Sequence, residues 1–225
     1  MTNRSWIRRP LPHREGNVAL ILICINIVLF FARGLTTPFS VTLASGQTVW
    51  LNVSNLLSMH PVLTVQEGFV FQPFSYMFMH ADFRHLFFNM LGLFFFGTQV
   101  ERTIGSNEFL LFYLTTGFLA GVFSLAMYWL TGALAIQLLG ASGAVFAVLL
   151  AFATYYPDAR IFIFGILPIR AAVLVGLYTV IELWSQISGS RTGVAHLTHL
   201  AGFGFAFLYL QVRMGINPAR RLLGR

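Results

Sequence analysis

The sequence contains no lysine: its 14 basic residues are all arginine, and only 9% of its 225 residues are charged. Soluble domains carry about 25% charged residues, so this scarcity excludes an ordinary water-soluble fold. A single cysteine, Cys24, excludes an intrachain disulfide and a cysteine-based metal cluster. It falls in an apolar segment and reads as a small lipid- or core-facing residue. What abounds is apolar: 57% of residues are hydrophobic, 24 are phenylalanine, and mean hydropathy is +0.75. The net charge of +7 does not point to nucleic acid. No basic patch interleaves with stacking aromatics, and the arginines sit at the ends of apolar segments, as topology signals and anionic-lipid contacts do.

Six apolar segments are long enough, or nearly so, to cross a hydrocarbon core of about 30 Å. They lie at approximately 17–33, 83–100, 109–130, 142–156, 169–187 and 195–212. The first follows Arg4, Arg8, Arg9 and Arg14. It has no clean small-x-small cleavage site, so it reads as an uncleaved transmembrane helix. The expected architecture is an all-α polytopic membrane protein of six transmembrane helices. Its membrane domain spans 17–212, between a short basic N-terminus (1–16) and a short basic tail (213–225).

The arginines orient it. With a cytoplasmic N-terminus, Arg4, Arg8, Arg9, Arg14, Arg102, Arg160, Arg170, Arg213, Arg220, Arg221 and Arg225 lie inside, and Arg33, Arg84 and Arg191 outside. This bias places both termini in the cytoplasm. Together with the lack of a transit peptide it suggests a bacterial inner membrane. The longest connection, 34–82, is too apolar for a free linker and is expected to be a structured, partly embedded loop with short helices.

The fourth segment is short and opens with Gly140-Ala141-Ser142-Gly143. A helix too short for the bilayer can start below the surface, at the floor of a water-filled cavity. Ser142 alone reads as a helix N-cap. His196 and His199 share one face of the sixth segment, and on that face Gly202 and Ala206 form a small-xxx-small pair. Gly143 and Ala147 form another in the fourth. Such pairs let helices touch backbone to backbone, as a direct serine–histidine hydrogen bond requires. Polar groups at this depth are functional by default, and a serine with a histidine in reach is the minimum apparatus for acyl transfer. His199, deeper and nearer the seam, is expected to be the general base, with His196 a polar helper or surface residue. His85 and Asn89, four apart on the second segment, are expected to stabilise an oxyanion, or alternatively to act as helix–helix glue.

No carboxylate is expected as a third member. Asp82, Glu67 and Glu15 fall near surfaces, and Glu101, Glu108 and Asp158 at the cytoplasmic side. Glu182, the one acid inside an apolar segment, reads as snorkelling or hydrogen-bonded, so the expected apparatus is a Ser–His dyad. A rival is a haem or metal protein using His80, His85, His196 and His199.

Four blocks in order resemble the rhomboid family of intramembrane serine proteases. They are Phe78-Met79-His80 with His85-Leu86-Phe87-Phe88-Asn89-Met90, Glu101-Arg102 with Gly105-Ser106, Gly140-Ala141-Ser142-Gly143, and His199-Leu200-Ala201-Gly202. The resemblance covers about Phe71 to Tyr209. It implies Ser142 as nucleophile, His199 as base, and His85 and Asn89 in the oxyanion site with the Ser142 N–H. It also implies no cofactor and no metal, and transmembrane protein substrates in a lipid bilayer. No firm oligomeric state can be read from the sequence, and a monomer is the expectation. The alternative is an inactive rhomboid-like protein that binds transmembrane clients. Two departures stand out. Phe71-Gln72-Pro73-Phe74 replaces the family's Trp-Arg loop pair, and Phe146 replaces a tyrosine that stacks on the histidine.

Overall fold

The computed structural model describes residues 10–43, 45–163, 165–188 and 193–224. Of the orientation arginines, Arg4, Arg8, Arg9, Arg191 and Arg225 lie outside the described residues. The chain is predominantly helical. Helix α1 (Val18–Ala32) leads to a hairpin of β1 (Phe39–Thr42) and β2 (Thr48–Leu51). Three short helices follow, α2 (Val53–Leu57), α3 (Pro61–Val65) and α4 (Gln72–Ser75). Next come α5 (Phe83–Gly92), a π-helical turn (Leu93–Gly97), α6 (Thr98–Ile104), α7 (Ser106–Thr131) and α8 (Ser142–Tyr155). A second hairpin, β3 (Arg160–Ile163) with β4 (Leu167–Arg170), precedes α9 (Ala171–Ile187), α10 (Gly193–Val212) and the short α11 (Pro218–Leu222).

Each expected segment is a helix, or a near-continuous run of helices, within a few residues of its expected bounds. Among the described residues, two stretches are long and apolar enough to cross a membrane, Val18–Leu35 and Ser106–Thr131; α8 and α9 are apolar but shorter. The expected loop 34–82 is structured, as read, but also contains the β1–β2 hairpin.

The middle of the bundle is α8. Ala144, Ala147, Val148, Ala151 and Ala153 along it are fully buried, and its most extensive partner is α10. The reason is the small-residue seam. A Cβ at Gly202 would run into the Gly143 carbonyl oxygen, so the two backbones touch. On its other side, α8 abuts α7. A Cβ on Gly143 would lie 3.1 Å from Ala120 Cβ, and one on Gly117 3.1 Å from Ala144 Cβ.

The loop lacks the Trp-Arg pair but has its own anchor. Gln72 is fully buried. Its Oε1 accepts from the His60 N–H at 3.0 Å and the Thr64 hydroxyl at 2.7 Å, and its Nε2 donates to the Leu56 carbonyl at 2.9 Å. One amide thus ties α2, α3 and α4 together.

Of the three acids expected at the cytoplasmic side, Asp158 is exposed and the other two are not surface groups. Glu101 and Glu108 are 4% and 0% exposed. Glu101 accepts from the Val18 and Ala19 N–H groups at the start of α1, at 2.7 and 2.8 Å, and from the Ser106 hydroxyl. These backbone donors have no partner within their own helix, so the carboxylate caps α1 from another element.

Candidate active site

Gly140 turns the chain into α8 with φ +124°, which glycine tolerates because it has no Cβ. Ser142 is the first residue of α8. His199 stands nearly two turns into α10, and its Nε2 lies 2.8 Å from Ser142 Oγ. The shared seam of α8 and α10 makes that distance reachable. Phe146, one turn along from Ser142, stacks flat on the His199 ring, with centroids 4.2 Å apart and planes 11° off parallel. The substituted phenyl ring therefore keeps the stack.

The Gly140 turn also receives His85. A Cβ on Gly140 would lie 2.6 Å from His85 Cε1 and 2.7 Å from Nε2, so the imidazole lies over the peptide just before the serine. Asp82 starts α5 by accepting the His85 N–H at 2.8 Å. Asn89 is 5% exposed, and its Nδ2 donates one hydrogen to the His85 carbonyl at 2.9 Å. An amide nitrogen carries two hydrogens, so this bond leaves one for a ligand. His80, fully buried, meets His85 edge to face with centroids 5.2 Å apart. Burial, followed by the charges of His85 and Arg33, pushes its imidazole down to about 3, so it is neutral beside the site.

Glu182 is where the sequence reading fails. No carboxylate was expected in reach of the histidine, yet Glu182 Oε1 lies 3.0 Å from His199 Nδ1, and Oε2 contacts His196 Nδ1. Glu182 itself is 6% exposed. It is hydrogen-bonded, as one branch of the expectation had it, but to the candidate base itself. The signal that could have found it was present, since an ionisable residue inside an apolar segment is functional by default. Glu182, His196 and His199 are also the group among the described residues that could hold a metal ion, with ligand atoms within 4.8 Å of one another. The carboxylate already bridges both Nδ1 atoms, and His199 Nε2 faces Ser142. That group includes neither His80 nor His85, so the four-histidine ligand set is not assembled among the described residues.

The arrangement places a hydroxyl, an imidazole and a carboxylate in series, with an imidazole and an amide beside the serine's helix start. A family model for the rhomboid domain matches residues 67–215, more than half of the chain. The chain is 33% identical over 135 residues to "Rhomboid protein 1, mitochondrial" of Saccharomyces cerevisiae, covering 59% of this chain and 38% of that protein. It is 28% identical over 152 residues to "RHOMBOID-like protein 12, mitochondrial" of Arabidopsis thaliana, covering 61% and 45%. It is 25% identical over 136 residues to "Rhomboid protease GlpG" of Haemophilus influenzae, covering 60% and 61%. The match thus spans less than two thirds of each of these relatives. Motifs, helical order and family match agree, and the chain belongs to the rhomboid family of integral membrane proteins.

Proposed function

We propose that the protein is an intramembrane serine endopeptidase that cuts transmembrane segments of other membrane proteins. The observation that carries this reading is the 2.8 Å contact between Ser142 Oγ and His199 Nε2, made between helices that otherwise meet at the Gly143–Gly202 seam. In this reading six helical segments cross the bilayer, α5 to α6 forming one of them, and both termini face the cytoplasm. The arginine bias supports that orientation. Ser142 and His199 then open toward the outer leaflet.

The chemistry follows from the atoms. An intact helix hides its carbonyls in i to i−4 hydrogen bonds, so a substrate segment must unwind locally, at glycine or another weak helix former. It enters between α5 and α9, whose outward faces are apolar. His199 Nε2 takes the Ser142 proton as Oγ attacks the exposed carbonyl carbon. Negative charge then develops on the carbonyl oxygen. This reading assigns the His85 imidazole, the Asn89 amide and the Ser142 N–H at the start of α8 as donors to it. His199 next gives its proton to the leaving amine, and water hydrolyses the acyl-enzyme by the same route in reverse.

A fluorophosphonate probe tests this on the purified protein in detergent, with Ser142→Ala and His199→Ala as controls. The expected result is labelling of the wild type alone, and loss of cleavage of a model transmembrane substrate in both variants with the fold intact. A folded wild type that neither labels nor cleaves overturns the reading in favour of a client-binding role.

A further inference from the structure

We propose that Glu182 is a positioning residue for His199, so that the apparatus is a Ser142–His199–Glu182 triad rather than a dyad. This rests on the protease reading above and deepens it. To receive the serine proton, His199 Nε2 must carry a lone pair, so the ring hydrogen must sit on Nδ1. A carboxylate oxygen 3.0 Å from Nδ1 accepts that hydrogen and selects that tautomer. It also faces the positive charge that appears on the ring once the serine proton arrives, which is the role of the third member in serine proteases generally.

Three further observations say that the contact is built rather than incidental. The second Glu182 oxygen is held by His196 Nδ1, so the carboxylate spans an i, i+3 pair on α10 and its plane is fixed. The His199 ring is clamped from its face by Phe146, so the carboxylate sets the one freedom left, the rotation of the ring within its plane. Finally, the buried residues of α9 are Ala171, Leu174, Val175 and Glu182. Past Val175, α9 therefore buries an acid against α10, while Leu183 and Trp184 beside it are exposed. In a bilayer those apolar neighbours face lipid without cost, whereas an ionisable side chain inside the segment is costly unless it is partnered. Placing the acid inward keeps the outer half of α9 docked through the base.

The test is kinetic and spectroscopic, on the full chain in detergent. In Glu182→Gln, kcat for a model transmembrane substrate is expected to fall by up to about 10⁴-fold, the loss seen when the buried aspartate of a soluble serine protease is neutralised, with KM little changed. Glutamine keeps the size but carries no charge, and its N–H groups compete for Nδ1. Glu182→Asp, which restores the carboxylate, should recover part of kcat. A merely structural role would show the reverse order, with glutamine milder than the shorter aspartate. Nitrogen NMR of 15N-histidine protein, with His199→Asn to assign the signal, should show His199 protonated at Nδ1 in the wild type and shifted toward Nε2 in Glu182→Gln. Unchanged kcat, or an unchanged His199 tautomer, overturns the proposal. If the folded wild type neither labels nor cleaves, the protease reading falls and the tautomer alone decides the role of Glu182.

Discussion

Asp82 shows how one exposed side chain reaches the candidate site. It caps α5 by accepting the N–H of His85, the residue whose ring lies over Gly140. That N–H favours the charged carboxylate and holds the Asp82 carboxyl below the usual aspartate range, helped by the charges of Arg84 and His85. A depressed folded value means the cap contributes stability above the unfolded aspartate value of about 3.9, and that this is lost as pH falls through the lower folded value. Asp82→Ala is therefore expected to lower the thermal midpoint at pH 7, and the gap to the wild type should narrow as the pH is taken below about 3.9. Equal midpoints at pH 7 would remove the cap from the account. Sequence reading recognised Asp82 only as a surface acid. The residues of the site itself were more legible, because a serine between glycines and a histidine in apolar runs have few other reasons to be there.

At the scale of the element, the α8–α10 seam was legible and the α9–α10 contact was not. Gly143, Ala147, Gly202 and Ala206 announce a close helix pair by spacing alone, and the structure joins them. Glu182 could not be placed the same way. Its partner depends on how α9 is rotated about its own axis relative to α10, and no periodicity in α9 encodes the phase of its neighbour. The seam makes a sharp test. The atom a Gly202 side chain would meet is the Gly143 carbonyl oxygen, which is backbone and cannot turn aside. Gly202→Val should therefore push α10 off α8 and open the 2.8 Å Ser142–His199 contact. A displacement of about 1 Å can cost about 10²-fold in rate, so labelling by the fluorophosphonate should fall by at least that factor in protein that remains folded. Wild-type labelling in Gly202→Val would mean that the seam does not set the catalytic distance.

Across the whole molecule, polar side chains concentrate at two ends. One end holds Ser142 and His199. The other holds Glu108, at the start of α7, against the end of α10. The Glu108 oxygens accept from the Tyr209 hydroxyl and Arg213 Nε at 2.5 Å each, from Arg213 Nη2 at 3.0 Å, and from the Leu11 N–H at 2.8 Å. This clamp joins the chain before α1 to α7 and α10, and the sequence placed Glu108 only by side of the membrane. The hairpins Phe39–Leu51 and Arg160–Arg170 were missed at the same scale, because four-residue strands in proline-bearing loops carry too little alternation to separate from turns. Glu108 is wholly buried, so removing its cation leaves an uncompensated charge, at a cost of about 3–5 kcal/mol. Arg213→Met and Glu108→Gln should each lower stability against denaturing detergent. The double variant should lose less than the sum of the two, because contacting residues couple. Fluorophosphonate labelling per folded molecule should stay at the wild-type level throughout, since the clamp stands at the opposite end of α7 and α10 from the serine. Additive losses would mean that the pair is not coupled. A drop in labelling of folded protein would mean that the two ends communicate.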